Sequence, residues 1–339
     1  MKAINKIEGG DFNLNDAEII ELLSIDTTSK DFYRLLAVSN TLSRRKFGTR
    51  GYVFTQIGLN AEPCSVNCLF CSMGHDHYSL DGRFQKDVAV VKEEVLRLQA
   101  QKIDDLFLMT TADFSMNRFL QIAAEVKPLL RDEQKFVANI GDFDEPFARK
   151  LKEVGLTGVY HINRLREGID TNAQTVDREK SIAAAQQAGL DVYYCIEPIG
   201  PEHSYEELLT EIKRARDLKI DVMAVMRRIP VPGTPLAARG KITAMELTKI
   251  AAVTNIVVNP GRSMNVHEPI QMGVIAGINQ LYAEVGANPR DVNSNTEQNR
   301  GFTPDVAWEM LAEGGYHWQM DEDGNRSPSG LVTEKGCCA

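Results

Sequence analysis

Three cysteines fall within eight residues, Cys64, Cys68 and Cys71, spaced C-x3-C-x2-C in the segment GLNAEPCSVNCLFCSMG (58–74). Thiolates at this spacing on one loop can each ligate a different iron of a 4Fe-4S cubane, which leaves the fourth iron open to an outside ligand. Zinc is the competing chemistry. His75 lies four residues after Cys71 and would complete a Cys3His set, making a zinc-binding interaction module without catalysis. Structural zinc sites usually pair two short knuckles, and a single knuckle here favours iron–sulfur. The other cysteines are Cys195, alone, and the adjacent pair Cys337 and Cys338. For Cys195 the plain reading is a small packed hydrophobe.

The loop must be positioned by the elements around it. Short apolar runs at 52–59, 105–110, 135–140, 157–162, 190–196, 221–227, 263–267 and 279–283 read as strands. Amphipathic stretches at 87–101, 115–130, 144–154, 176–188, 204–217, 243–257 and 269–276 read as the helices between them. Strands alternating with helices predict parallel β-α-β units. Eight of them fit an α/β fold of the closed (β/α)8 type, with a doubly wound open sheet as the alternative. Residues 14–48 read as helical, with Asn15 or Asp16 as a helix cap. From Gly314 the chain loses periodicity and reads as an extended or mobile tail. The expected organisation is a helical cap over 1–50, a barrel over 51–313 whose C-terminal portion begins at about 263, and a tail over 314–339 carrying the cysteine pair.

In such a barrel the chemistry sits at the C-terminal ends of the strands. That rule selects Thr110, Thr111 and Asp113 after the second strand, Asn139 after the third, and His161, Asn163, Arg164 and Glu167 after the fourth. It also selects Cys195 and Glu197 on the fifth, Arg227 and Arg228 on the sixth, and His267 and Glu268 on the seventh. Gly277, Gly286 and Pro289 read as backbone punctuation.

The composition is that of a globular protein, 43% hydrophobic and 25% charged, with a net charge of -9. The acidic balance argues against broad capture of nucleic acid or anionic membrane. No apolar run approaches the roughly 18 residues of a membrane span. The expectation is a cytoplasmic protein, whose thiols stay reduced and serve as ligands or reactive groups.

A cysteine triad with an aromatic directly before its third member, placed after the first strand of a β/α barrel, resembles the radical S-adenosylmethionine (SAM) superfamily. The resemblance extends over nearly the whole chain, through RRKFGTRGYVFTQIGLNAEPC, ARKLKEVGLTGVYHINRLREG, SIAAAQQAGLDVYYCIEPIGPE, IPVPGTPLA and HEPIQMGVIAGINQLYAEVG. The branch it resembles is the biotin synthase-like group, which includes the hydrogenase-maturase and methylornithine-synthase types. The resemblance implies a TIM-type radical SAM barrel, a 4Fe-4S cluster on Cys64, Cys68 and Cys71, and SAM on the open iron. SAM would be cleaved to a 5′-deoxyadenosyl radical that takes hydrogen from a small-molecule or cofactor-precursor substrate, in cofactor biosynthesis. A low-potential electron donor such as flavodoxin or ferredoxin would be the partner. Sulfur insertion and carbon-skeleton rearrangement or fragmentation both stay open.

For SAM itself, Phe70 would pack on adenine. Thr110 and Thr111, in TTADFS, would offer backbone contacts where related enzymes carry a Gly-Gly-Glu-like turn. Asn163 and Glu167 are the candidates for ribose or sulfonium, and Arg228 for the carboxylate. His267 is the substrate candidate. Cys195, Cys337 and Cys338 would supply a second iron–sulfur cluster if the tail folds over the barrel mouth. A biotin-synthase-type 2Fe-2S site cannot be built, because strands two and three carry no cysteine.

Overall fold

The computed structural model describes residues 2–285 and 302–318. Eight parallel strands close into a barrel: β1 (Tyr52–Gly58), β2 (Asp105–Met109), β3 (Lys135–Asn139), β4 (Gly158–Tyr160), β5 (Asp191–Ile199), β6 (Val222–Arg227), β7 (Ser263–His267) and β8 (Gln280–Val285). β8 pairs with β1 and closes the ring. All eight expected strands are present, and the closed barrel rather than the open sheet is observed. Near-continuous burial along the strands explains their unbroken apolar runs, since the faces of a parallel barrel look onto side chains or helices.

Helices α1 (Lys2–Glu8), α2 (Asp16–Leu23) and α3 (Lys30–Phe47) precede the barrel. The connecting helices are α4 (Val88–Gln99), α5 (Met116–Val126), α6 (Glu145–Glu153), α7 (Thr175–Gln187), α8 (Tyr205–Asp217), α9 (Ala244–Val258) and α10 (Gln271–Ile275). Asn15 caps α2 through a capping box with Glu18, which satisfies two otherwise orphaned backbone donors. α2 and α3 pack on α8, α9 and α10, and α1 packs on α2 and α3. Asn255 of α9 donates to Ser39 and Ser43 of α3, each at 2.9 Å. Gly277 then passes so close that a Cβ there would lie 2.7 Å from the Ser43 hydroxyl, which excludes a larger residue.

Two helices were not expected. In α1, Ala3, Ile4 and Ile7 are buried, an apolar face at three- and four-residue spacing. In α11 (Pro304–Glu313), Thr303 supplies the N-cap and Pro304 stands in the first turn, where its missing N–H costs nothing. Residues 314–318, the start of the expected irregular tail, are packed against the body of the fold. Tyr316 is fully buried with the Arg44 guanidinium 3.6 Å above its ring, and Trp318 donates to Asp104 at 2.8 Å.

The N-terminal end of the barrel is plugged. The Arg262 guanidinium forks onto both oxygens of Asp105 at 2.8 and 2.6 Å, and Gln280 donates to the same carboxylate at 2.7 Å. Above this plug the interior is aromatic. Phe54 stacks on Phe107 at 4.6 Å, and Tyr193 and Tyr282 close around them at 5.1 and 5.0 Å. With that end filled, the interior opens toward the C-terminal ends of the strands.

Candidate active site

The cysteines occupy the long loop between β1 and α4. A short antiparallel pair, Asn60–Ala61 with Phe84–Gln85, closes its base. The loop doubles back on itself, with Cys64 N–H donating to the Met73 carbonyl at 2.8 Å and His75 N–H to the Cys64 carbonyl at 3.1 Å. It is also tied to the neighbouring strand ends. Ser65 donates twice to Asp113 after β2, both at 2.6 Å. Leu69 N–H donates to the Asp170 carbonyl after β4 at 2.9 Å, and Leu236 N–H after β6 donates to the Leu69 carbonyl at 3.1 Å. These ties hold the three thiols over the mouth of the barrel.

His75 does not complete a zinc set. Its side chain is 69% exposed and its Nδ1 lies 3.0 Å from Asp76. The histidine that organises the loop is His77, whose Nε2 lies 3.0 and 3.1 Å from the Cys68 and Cys71 carbonyls. Among the described residues, the groups of three or more His, Cys, Asp or Glu with donor atoms mutually within 4.8 Å are Cys195–Glu197–His267 and Asp170–Glu202–His203. The triad is outside that set. One zinc would draw its sulfurs to roughly 3.8 Å apart. A cluster asks for wider spacing, because each thiolate meets a different iron. Burial pushes the Cys68 thiol up to about 12 and the Cys71 thiol up as well. The charge of bound iron would therefore have to displace their protons.

Beneath the triad lies a cavity with about 1140 Å³ of unfilled space, its open mouth included. Cys64, Cys68, Cys71, Phe70, Thr110, Thr111 and His267 all line it. Gly141 after β3 approaches the loop after β2 so closely that a Cβ would sit 2.7 Å from the Ala112 carbonyl. The Thr110 N–H is used by the Asn139 carbonyl at 2.9 Å, and the Thr111 N–H by the Asn60 side chain at 3.0 Å. The backbone groups this turn could offer an ammonium are therefore carbonyls. If Phe70 covers adenine as the resemblance implies, Phe70→Ala should weaken SAM binding about tenfold and leave iron content unchanged, because an aromatic face contributes packing and no ligand. Equal SAM affinity in an equilibrium-binding assay would remove Phe70 from the adenine site.

Three expected residues do not line the cavity. Asn163 is 1% exposed, with neither its side-chain oxygen nor its nitrogen hydrogen-bonded. Glu167 turns into the fold, accepting from the Arg164 N–H at 2.9 Å and the Thr171 hydroxyl at 2.6 Å. Arg228 corrects its expected place. Its guanidinium is buried against both oxygens of Glu202 and the Gly240 carbonyl, leaving it no face toward the cavity. Burial works to raise the Glu202 pKa, but the Arg228 hydrogen bonds outweigh it and bring the pKa to about 2.

A carboxylate held below its unfolded value of about 4.5 stabilises the fold above that pH. The stabilisation is lost as pH falls from about 4.5 toward 2. Arg228→Ala should cost about 3 kcal/mol at neutral pH, because a mostly buried carboxylate loses its partner. Thermal melts should show this loss shrinking across the same acid window, with SAM affinity unchanged in folded protein.

The guanidiniums that do line the cavity are Arg164 and Arg178. Arg164 follows β4, at one of the strand ends expected to carry the chemistry. Arg178 lies in α7, where a rule about strand ends does not look. The Nε of each is buried without a hydrogen-bond partner. Arg178 donates to Asp142 at 2.9 Å, and His161 Nε2 lies 2.9 Å from the same oxygen. Burial opposes the charge on Asp142, yet its bonds to His161 and Arg178 hold it below the usual carboxylate range. Burial also lowers the His161 pKa, so a neutral ring donates Nε2–H to Asp142. Deeper in the barrel, Glu197 lies 3.7 Å from the Arg164 Nε, and Tyr160 stacks on His267 at 5.7 Å. Cys195 is fully buried, while Cys337, Cys338, Gly286 and Pro289 lie outside the described residues.

No protein-family model matches the chain. It is 24% identical over 296 residues to a biotin synthase of Carboxydothermus hydrogenoformans, covering 81% of this chain and 88% of the relative. It is 27% identical over 265 residues to a biotin synthase of Desulforudis audaxviator, covering 73% and 79%. The crystal structure of methylornithine synthase superposes with a TM-score of 0.80 at 18% identity, covering 95% of this chain and 98% of that one.

Proposed function

The chain belongs to the radical SAM superfamily, in its biotin synthase-like branch, and from that premise we propose that it cleaves SAM reductively to start a hydrogen abstraction from a small polar substrate held inside the barrel. The observation that carries this reading is the cavity itself, in which three loop thiols and two guanidiniums with unsatisfied Nε groups share one wall-to-wall space. When bound, the cluster and SAM supply one electron and a primary carbon radical. The rest is the work of this chain's side chains. Cys64, Cys68 and Cys71 would hold three irons. Arg164 and Arg178 would take the SAM carboxylate, and Phe70 would cover its adenine. The aromatic interior excludes water from the reacting carbon. Gln56, Asn139, Tyr160 and Glu197 line the lower cavity and would orient the substrate.

The reaction type we favour is carbon-skeleton rearrangement or fragmentation, in cofactor biosynthesis. Among the described residues Cys195 is the one cysteine on a barrel strand, which is too few for a sulfur-donating cluster built from the barrel. A low-potential flavodoxin or ferredoxin would supply the electron, in the cytoplasm. No helix of the described residues is long and apolar enough to cross a membrane. The test is the electron paramagnetic resonance spectrum of the reduced cluster. Adding SAM should change it, since the amine and carboxylate would bind the open iron. An identical spectrum at saturating SAM would overturn the proposal.

A further inference from the structure

Cys195, Glu197 and His267 converge from two strands. Cys195 and Glu197 alternate on β5, so they share a strand face. His267 ends β7, beyond the single intervening strand β6. Their sulfur, oxygen and nitrogen donor atoms lie within 4.8 Å of one another, and all three residues are buried. Glu197 and His267 line the cavity from inside the barrel. Asn265 lies two residues before His267 on the same face. It is 1% exposed, and neither its amide oxygen nor its nitrogen has a hydrogen-bond partner.

We propose that Cys195, Glu197 and His267 form a mononuclear metal site, distinct from the triad, whose open fourth position faces the cavity and holds the substrate through a nitrogen, oxygen or sulfur atom. Mixed thiolate, imidazole and carboxylate donors suit zinc, iron(II) or cobalt(II), and three protein ligands with one open position is the arrangement of catalytic rather than structural zinc sites. Charge supports the assignment. A thiolate, a carboxylate and a divalent ion sum to zero, so the three ligands and the ion would bury no net charge of their own. Glu197 is not committed elsewhere by a short contact, since Arg164 lies at 3.7 Å, beyond hydrogen-bond range. Binding would release the Cys195 proton, and the pocket-facing position would anchor the substrate below SAM. The second group, Asp170–Glu202–His203, offers no such site because Arg228 occupies Glu202.

The role toward substrate rests on the radical SAM reading; the binding of metal does not. Cluster-loaded protein supplied with zinc and then desalted should retain one zinc per chain, and the Cys195→Ser variant none. A full-length variant with Cys64, Cys68, Cys71, Cys337 and Cys338 changed to Ser should bind one cobalt(II) and show sulfur-to-cobalt charge-transfer absorption. Adding Cys195→Ser should abolish that absorption. The near-isosteric Glu197→Gln change should keep it and lower cobalt affinity at least tenfold. Absence of cobalt uptake, absorption that survives Cys195→Ser, or unchanged affinity in Glu197→Gln would each overturn the site. The cobalt result stands whether or not SAM is cleaved, so the two proposals fail separately.

Discussion

Cys64→Ala, Cys68→Ala and Cys71→Ala should each lose the roughly 400 nm absorption of a 4Fe-4S cluster and all detectable SAM cleavage. The expectation follows from ligand count. With three thiolates the cluster is anchored at three irons, and with two it is held by half of its corners. The loop offers no substitute, because His75 is directed to Asp76 at the surface and His77 is engaged with the Cys68 and Cys71 carbonyls. The barrel should survive, since its core is separate from the small cluster of Ala61, Met73 and Leu80 packed under the loop. Iron and sulfide counts after anaerobic reconstitution check this. Four irons retained by any of the three variants would contradict the assignment of the triad.

Arg164→Ala and Arg178→Ala should each weaken SAM binding to cluster-loaded protein by roughly 10- to 100-fold, the range of a lost charge-assisted hydrogen bond. Both guanidiniums line the cavity, and each has a buried Nε without a hydrogen bond, with the Glu197 and Glu167 carboxylates 3.7 and 3.6 Å away. Such a group is costly unless a ligand completes it. Arg178→Lys should restore part of the affinity by keeping the charge without the planar fork. Equal SAM affinity for both alanine variants, measured by equilibrium dialysis, would move the carboxylate site elsewhere. Arg228→Ala is the contrast, because its bond to Glu202 lowers stability when lost and leaves the cavity untouched.

The barrel was legible because each strand is a short apolar run bounded by turn residues, and because the strands are buried on both faces. The terminal helices were harder. In α11 the signals were present, with Thr303 as cap and Pro304 behind it, but the helix is short and follows a stretch without periodicity. Tyr316 and Trp318 look like tail residues until Arg44 and Asp104 are seen to receive them, and both partners are more than 200 residues away in the chain. The triad was legible because its chemistry depends on local spacing. The guanidiniums were not, because a strand-end rule locates a backbone and not the direction of a side chain. Arg228 and Arg164 both follow strands, yet Glu202 draws one into the fold while the other lines the cavity. His75 and His77 differ similarly, since the turn over His75–His77 directs the second ring under the loop.

Reductive cleavage of SAM by this chain is read out by quantifying 5′-deoxyadenosine. Anaerobically reconstituted protein, reduced with dithionite and given SAM, should form 5′-deoxyadenosine and methionine in equal amounts. The triple variant with Cys64, Cys68 and Cys71 changed to Ala should form neither. Protein carrying a full, reducible cluster that leaves SAM intact, or cleavage that persists in the triple variant, would show that the triad does not support SAM cleavage.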